Sequence, residues 1–302
     1  MSHIIYSILS IYIFIVMGYL AKKFFKDQID DKTITLLNIY FLQVFLTFWG
    51  LLIRPIDISL FVAPALYLAI VGVSLVITAF AARWFFTSKK EYSIATVAAL
   101  IGNTGNLGIP LNIAIFGEAS IPYTTIINLM NVFVVYTVGV FYYSRGTFDT
   151  KTSLKNILKL PILWAALIAI ALSLGGYEPD KVILDTLMMG AYASMTMQLF
   201  LFGIYLYGAH IRELNRHLVA WILGFKFLFL PLLAFLVLHF LELDSLLKGV
   251  LFIELMMPLA VANVNLASLY DCKPKTVTTL VFLSSVLFLG VVFVALFFLK
   301  HL

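Results

Sequence analysis

Apolar residues run through this chain in blocks, separated by short polar stretches. Runs of roughly 20 residues, enough to cross a ~30 Å hydrocarbon core as a helix, fall at about 4–21, 34–53, 60–86, 92–116, 121–143, 156–175, 182–208, 217–240, 246–270 and 276–299. The pattern predicts an all-α polytopic membrane protein of ten transmembrane helices. The first run is expected to be retained and not cleaved as a signal peptide. Met1 to Ile5 carries no Lys or Arg, no small-residue cleavage site follows, and the basic pair Lys22-Lys23 comes after the apolar run.

Two runs break their own pattern. The fourth contains "IGNTGNLGIPLNIAIFG", Ile101 to Gly117, with Asn103, Gly105, Asn106, Gly108 and Pro110 in its middle. The ninth contains "IELMMPLAVANVNLASLY", where Pro258 is followed by Asn263 and Asn265. Proline removes a helical hydrogen bond and clashes with the preceding turn, and glycine adds backbone freedom. In hydrocarbon each freed N–H or C=O costs several kcal/mol, so broken helices persist only against protein or a polar cavity. Close helix packing through small residues is the alternative for the glycines alone.

Charge sets the expected orientation. With the N-terminus outside, fifteen Lys and Arg fall on the cytoplasmic side: Lys22, Lys23, Lys26, Lys32, Arg83, Lys89, Lys90, Arg145, Lys151, Lys155, Lys159, Arg212, Arg216, Lys273 and Lys275. Four fall outside: Arg54, Lys181, Lys248 and Lys300. The positive-inside rule then places both termini on the non-cytoplasmic side. The basic connection 144–155 divides the chain into halves, 1–143 and 156–302, whose hydropathy repeats at an offset of about 153 residues. Five helices per half make the two halves enter the membrane from opposite sides. Many secondary transporters use such an inverted repeat, with interrupted helices meeting at a midplane site. Their half-helix N-termini suit an anion, and asparagine amides offer donors and acceptors without a buried charge.

Composition narrows the class. Of 302 residues, 63% are hydrophobic and 12% charged, and the mean hydropathy is +1.05; a soluble domain is about half apolar and a quarter charged. The pI near 9.1 and net charge of +5 reflect loop residues that set orientation, so no nucleic-acid partner is expected. One cysteine, Cys272, excludes an intramolecular disulfide. The five histidines, His3, His210, His217, His239 and His301, sit at run ends or termini. Neither a Ser-His dyad nor an HExxH metal site is therefore available. No enzyme and no cofactor is expected.

The motif "NTGNLGIPL" leading to "FG", with "MPLAVANVNLASLYD" late in the chain, resembles the auxin efflux carrier family of permeases. That family includes plant auxin carriers and bacterial malate or malonate permeases. The resemblance covers the whole chain, and the short central connection matches the compact prokaryotic arrangement. It implies a fold like that of bile-acid sodium symporters. A scaffold of spans 1, 2, 6 and 7 would hold a transport domain of spans 3–5 and 8–10, moving as an elevator, and the scaffold would form a homodimer. Spans 4 and 9 would cross at their prolines. The resemblance implies a substrate site lined by Asn103, Gly105, Asn106, Pro110, Leu111, Asn131, Tyr136, Pro258, Asn263 and Asn265. For Asn131 and Tyr136, and for Asn128 one turn before Asn131, helix–helix hydrogen bonding is the other reading. The acidic residue that plant relatives keep in span three has no counterpart in "LYLAIVGVSLVITAFAARWFF".

Only Lys226 and Glu254 are ionisable groups well inside runs. Mid-membrane charges are costly, and are paired or functional. Two readings stay open here, a static Lys226–Glu254 pair and a titrating Glu254 that couples transport to protons. Sodium coupling competes, with Glu254, Asn103, Asn106 and Asn263 as oxygen donors. The expectation is a carrier for small organic anions, such as malate, malonate or an auxin-like aromatic acid, in a bacterial inner membrane. A non-transporting receptor that binds a ligand at the same crossover is the alternative.

Overall fold

A computed structural model describes residues 2–53, 59–144, 158–207 and 215–299. The expected linker beyond Ser144, and Arg54, Arg145, Lys151, Lys155, Arg212 and Lys300 of the charge count, lie outside the described residues. The described chain is helical, with one isolated antiparallel bridge, Gly102 with Leu259. Its helices are α1 (Ser2–Phe25), α2 (Thr33–Leu52), α3 (Ser59–Phe85), α4 (Lys89–Val97), α5 (Thr104–Phe116) and α6 (Glu118–Tyr143). There follow α7 (Pro161–Leu174), α8 (Lys181–Tyr207), α9 (Arg216–Phe240), α10 (Ser245–Met256), α11 (Ala262–Leu269) and α12 (Pro274–Phe298).

Six of these, α2, α3, α6, α8, α9 and α12, are each long and apolar enough to cross a membrane unbroken. The fourth and ninth runs are each split into two shorter helices, α4–α5 and α10–α11, at the Asn- and Pro-containing stretches. The sixth run is shorter than its hydropathy suggests. Its helix starts at Pro161, a residue suited to the first helical turn because its missing N–H would have no partner there. Large apolar side chains remain exposed, among them Phe240 at 80% and Val182 at 75%. Water would penalise so many such faces, whereas lipid tails match them. This is a multi-pass membrane protein.

The helices form two compact units. Unit 1 comprises Met1–Val62, Gly105–Leu129 and Lys155–Gly208. Here α1 and α8 pack backbone against backbone, because a Cβ on Gly203 would run into the Ile15 carbonyl and one on Gly18 into the Phe200 carbonyl. Lipid supplies little hydrophobic drive between helices, so close approach through glycine is how such contacts gain dispersion energy. Trp49 and Leu46 of α2 pack with Ala191 and Met195 of α8 and with Ile109 and Ile121. A buried polar seam joins α2 and α8: Ser194 donates to Asn38 Oδ1 at 3.0 Å, and Gln198 Nε2 to Ser194 Oγ at 2.9 Å.

Unit 2 comprises Ala63–Thr104, Met130–Leu154 and Ala209–Leu302. The start of α4 is tied down by charge. Glu91 accepts from Lys273 Nζ at 2.6 Å and from Asn215 Nδ2 at 3.2 Å, and Lys90 pairs with Asp271 at 2.7 Å. The α11–α12 turn that presents Asp271 and Lys273 holds both in the left-handed region, at φ 48°. Cys272 between them is buried, its thiol 3.6 Å from the Lys90 carbonyl.

Two outcomes are expected. Gly203→Val should lower the melting temperature in mild detergent by the equivalent of at least about 1–3 kcal/mol of overpacking. Gly72→Ala, where a Cβ meets nothing within 4 Å, should leave it unchanged or raised. The Lys273 hydrogen bond holds the Glu91 carboxyl below its ordinary value, against the opposing effect of partial burial. A depressed carboxyl stabilises the fold above its unfolded pKa of ~4.3, and that contribution is lost as pH falls through the folded value. The advantage of wild type over Glu91→Gln, within about 1 kcal/mol for a partly exposed pair, should therefore be present near neutrality and vanish in acid. Melting curves of both proteins across pH check this.

Candidate functional site

The interruptions expected in the fourth and ninth runs meet inside unit 2. Helix α4 tightens into a 3-10 turn, Ala98–Leu100, and then extends at Ile101 (φ −92°, ψ 90°). Helix α10 ends at Met256, and Met257 is extended (φ −51°, ψ 140°), the conformation a following proline imposes. The two extended stretches then pair antiparallel. Asn103 N donates to the Pro258 carbonyl at 2.8 Å, and Ala260 N to the Ile101 carbonyl at 2.9 Å. These bonds flank Gly102 and Leu259, the closely spaced, non-hydrogen-bonded pair of an antiparallel ladder.

Polar side chains take up the carbonyls that the bridge leaves. Asn263 Nδ2 lies 3.1 Å from the Ile101 and Ala260 carbonyls and 3.4 Å from that of Ala98. Its Oδ1 accepts from the Tyr143 hydroxyl at 2.9 Å. Asn131 Nδ2 donates to the Gly102 carbonyl at 2.8 Å and its Oδ1 accepts from the Tyr67 hydroxyl at 3.1 Å. Leu259 N donates to Ser284 Oγ at 3.1 Å. Each of these groups would otherwise cost several kcal/mol in an apolar surround. The amides of Asn263 and Asn131 are therefore engaged in holding the breaks together.

Lys226 lies in a π-turn of α9, Phe225–Phe229, a local irregularity common at functional positions. Its side chain is 1% exposed. Its Nζ donates to the Leu255 carbonyl at 3.1 Å, in the last turn of α10. A Cβ on Gly102 would sit 3.3 Å from the same Nζ, so glycine there leaves room for the ammonium. Glu254, fully buried, precedes Leu255 in the same last turn of α10. Asn103 differs from Asn131 and Asn263: it is 3% exposed, and its Nδ2 has no hydrogen-bond partner among the described residues.

The remaining expected residues are distributed as follows. Pro258 is buried in the bridge, and Asn265 is exposed on α11. The amides of the first α11 turn bond back to Ala260 and Val261, in contrast to the open helix N-terminus expected there. Tyr136 is half-buried in a π-turn, Val135–Gly139. In unit 1, Gly105 lies against Asn128, whose Oδ1 would be 2.8 Å from a Cβ. Asn106 is half-buried there, while Pro110 and Leu111 are buried in the first turn after the π-segment Thr104–Gly108. Sequence reasoning missed Tyr67, Tyr143 and Ser284. A lone hydroxyl in an apolar run was the only signal they carried.

The model of a family described as membrane transport protein matches residues 3–296. An uncharacterized transporter of Methanocaldococcus jannaschii is 26% identical over 194 residues, which are 63% of this chain. The chain aligns with 62% of that relative's length.

The bracing role of Asn263 predicts a stability loss. Asn263→Ala removes the donor to three carbonyls and the acceptor of Tyr143, and should cost ~1–3 kcal/mol. Tyr143→Phe should cost less, and the double variant less than the sum, because the two share one bond. Thermal unfolding in detergent measures all three. Unaltered stability together with weakened ligand binding would make Asn263 a ligand residue and not a brace.

Proposed function

We propose that this chain, which belongs to the membrane transport protein family that includes the auxin efflux carriers, is a secondary carrier for small organic anions. The substrate class is mono- or dicarboxylates such as malate, malonate or an auxin-like aromatic acid. One observation carries the reading: the buried Asn103 Nδ2 has no acceptor among the described residues, while the neighbouring break carbonyls are engaged. A carboxylate oxygen is the acceptor that would complete it. A neutral amide binds such an anion without the standing cost of a buried charge. The absence of arginine from the middle of any run argues against bidentate clamping and favours a modest, releasable affinity.

The transport cycle proposed with it is an elevator, in which spans 3–5 and 8–10 move against a dimeric scaffold of spans 1, 2, 6 and 7. The supports are the family resemblance and the break at matching places in two halves read as inverted five-helix repeats. The positive-inside bias supports a bacterial inner membrane with both termini outside.

Asn103 tests the site. Asn103→Ala should keep the melting temperature, since Nδ2 makes no bond in the protein, and should weaken carboxylate binding. A hydrogen bond to a charged group is worth ~1.5–3 kcal/mol, so affinity should fall roughly 10- to 150-fold. Asn103→Asp sets a negative charge where the anion must sit, and should abolish binding near neutral pH with partial recovery in acid. Scintillation proximity binding and uptake into proteoliposomes, with malate, malonate and indole-3-acetate, read both variants. Wild-type affinity in Asn103→Asp places the site elsewhere, and binding without counterflow makes the protein a receptor.

A further inference from the structure

We propose that the Lys226 ammonium is a resident cation of the unit 2 crossover, holding as a tethered charge the place that a dissociable coupling cation would take. The inference rests on the reading of this crossover as the substrate site and goes on to its ion requirement.

Two half-helices end at the crossover with their C-terminal, carbonyl-bearing ends, α4 through Leu100 and α10 at Met256. Each such end carries roughly −0.5 of an elementary charge, so the pair presents about −1. Glu254 lies in the last turn of α10 and is completely buried. Unwound carbonyls, half-helix C-terminal ends and a carboxylate form the oxygen-rich, negative setting in which transporters coordinate sodium. In this chain a lysine reaches that setting. Lys226 Nζ is hydrogen-bonded to the Leu255 carbonyl at 3.1 Å, one residue on from Glu254, and lies beside Gly102, where the bridge leaves space for it. The π-turn Phe225–Phe229 places it on α9, and its 1% exposure shows that the side chain is held inside and does not snorkel to a surface. The ammonium therefore supplies the positive charge that lets two negative helix ends approach each other. Unlike a sodium ion, it cannot leave, so the crossover assembles without one and the carrier's anion site does not depend on sodium.

The experiment compares thermal unfolding of the full-length protein in mild detergent in sodium chloride and in choline chloride at equal ionic strength. This readout needs no substrate. Wild type should melt at the same temperature in both. Lys226→Ala, which opens space for a small cation, should melt several degrees lower in choline and recover part of that loss in sodium or lithium. Lys226→Gln, which keeps a donor for Leu255 but removes the charge, should also be destabilised in choline, and it covers the case in which Lys226→Ala does not fold. A sodium-dependent melting temperature in wild type overturns the proposal. So do charge-free variants that melt like wild type, or that are destabilised with no response to sodium or lithium. Failure of the anion-site reading would show instead in the Asn103 binding series and would leave this cation response as it stands.

Discussion

Two hydrogen bonds, Asn103 N–H to the Pro258 carbonyl and Ala260 N–H to the Ile101 carbonyl, let unit 2 keep two broken helices inside an apolar molecule. A break in a buried helix frees amides and carbonyls that lipid cannot satisfy. One break would need an outside supply of partners. Two breaks laid antiparallel supply each other around the Gly102–Leu259 pair. The rest of the unit follows from completing this pairing. Asn263, Asn131 and Ser284 reach in from α11, α6 and α12 to the groups the bridge leaves over.

Hydrogen bonding separates asparagines that look alike in the sequence. An amide with both ends engaged adds rigidity and has little left for a ligand, and that describes Asn131 and Asn263. Asn103 shares their burial but keeps a donor unspent. A buried donor left over in a native interior calls for an explanation, and the proposed carboxylate supplies one.

Electrostatics forms a second layer on the same frame. Helix C-termini and Glu254 gather negative potential where the helices end, and the only mid-run cation of the chain, Lys226, is bonded to the last turn of α10. In a low-dielectric interior such a charge is retained only when its surroundings compensate it. At the far end of α4, Glu91 and Lys90 fix the helix start through Lys273, Asn215 and Asp271. Both ends of this half-helix are therefore held, and its break is a defined shape.

The sequence by itself determined the membrane class, the helical content and the two places where helices break. These are local properties: run length, hydropathy, and the chemistry of Pro and Gly against a helical backbone. It also singled out Asn103, Lys226 and Glu254, because polar groups in apolar runs are conspicuous. Only the tertiary structure decided which groups the polar side chains meet. Tyr143 meets Asn263 across 120 residues and Tyr67 meets Asn131 across 64, while Lys226 reaches Leu255 across 29. No periodicity encodes such pairings. Whether an amide braces or binds depends on which donors and acceptors the fold brings within about 3 Å of it, and that distance exists only once the helices are packed.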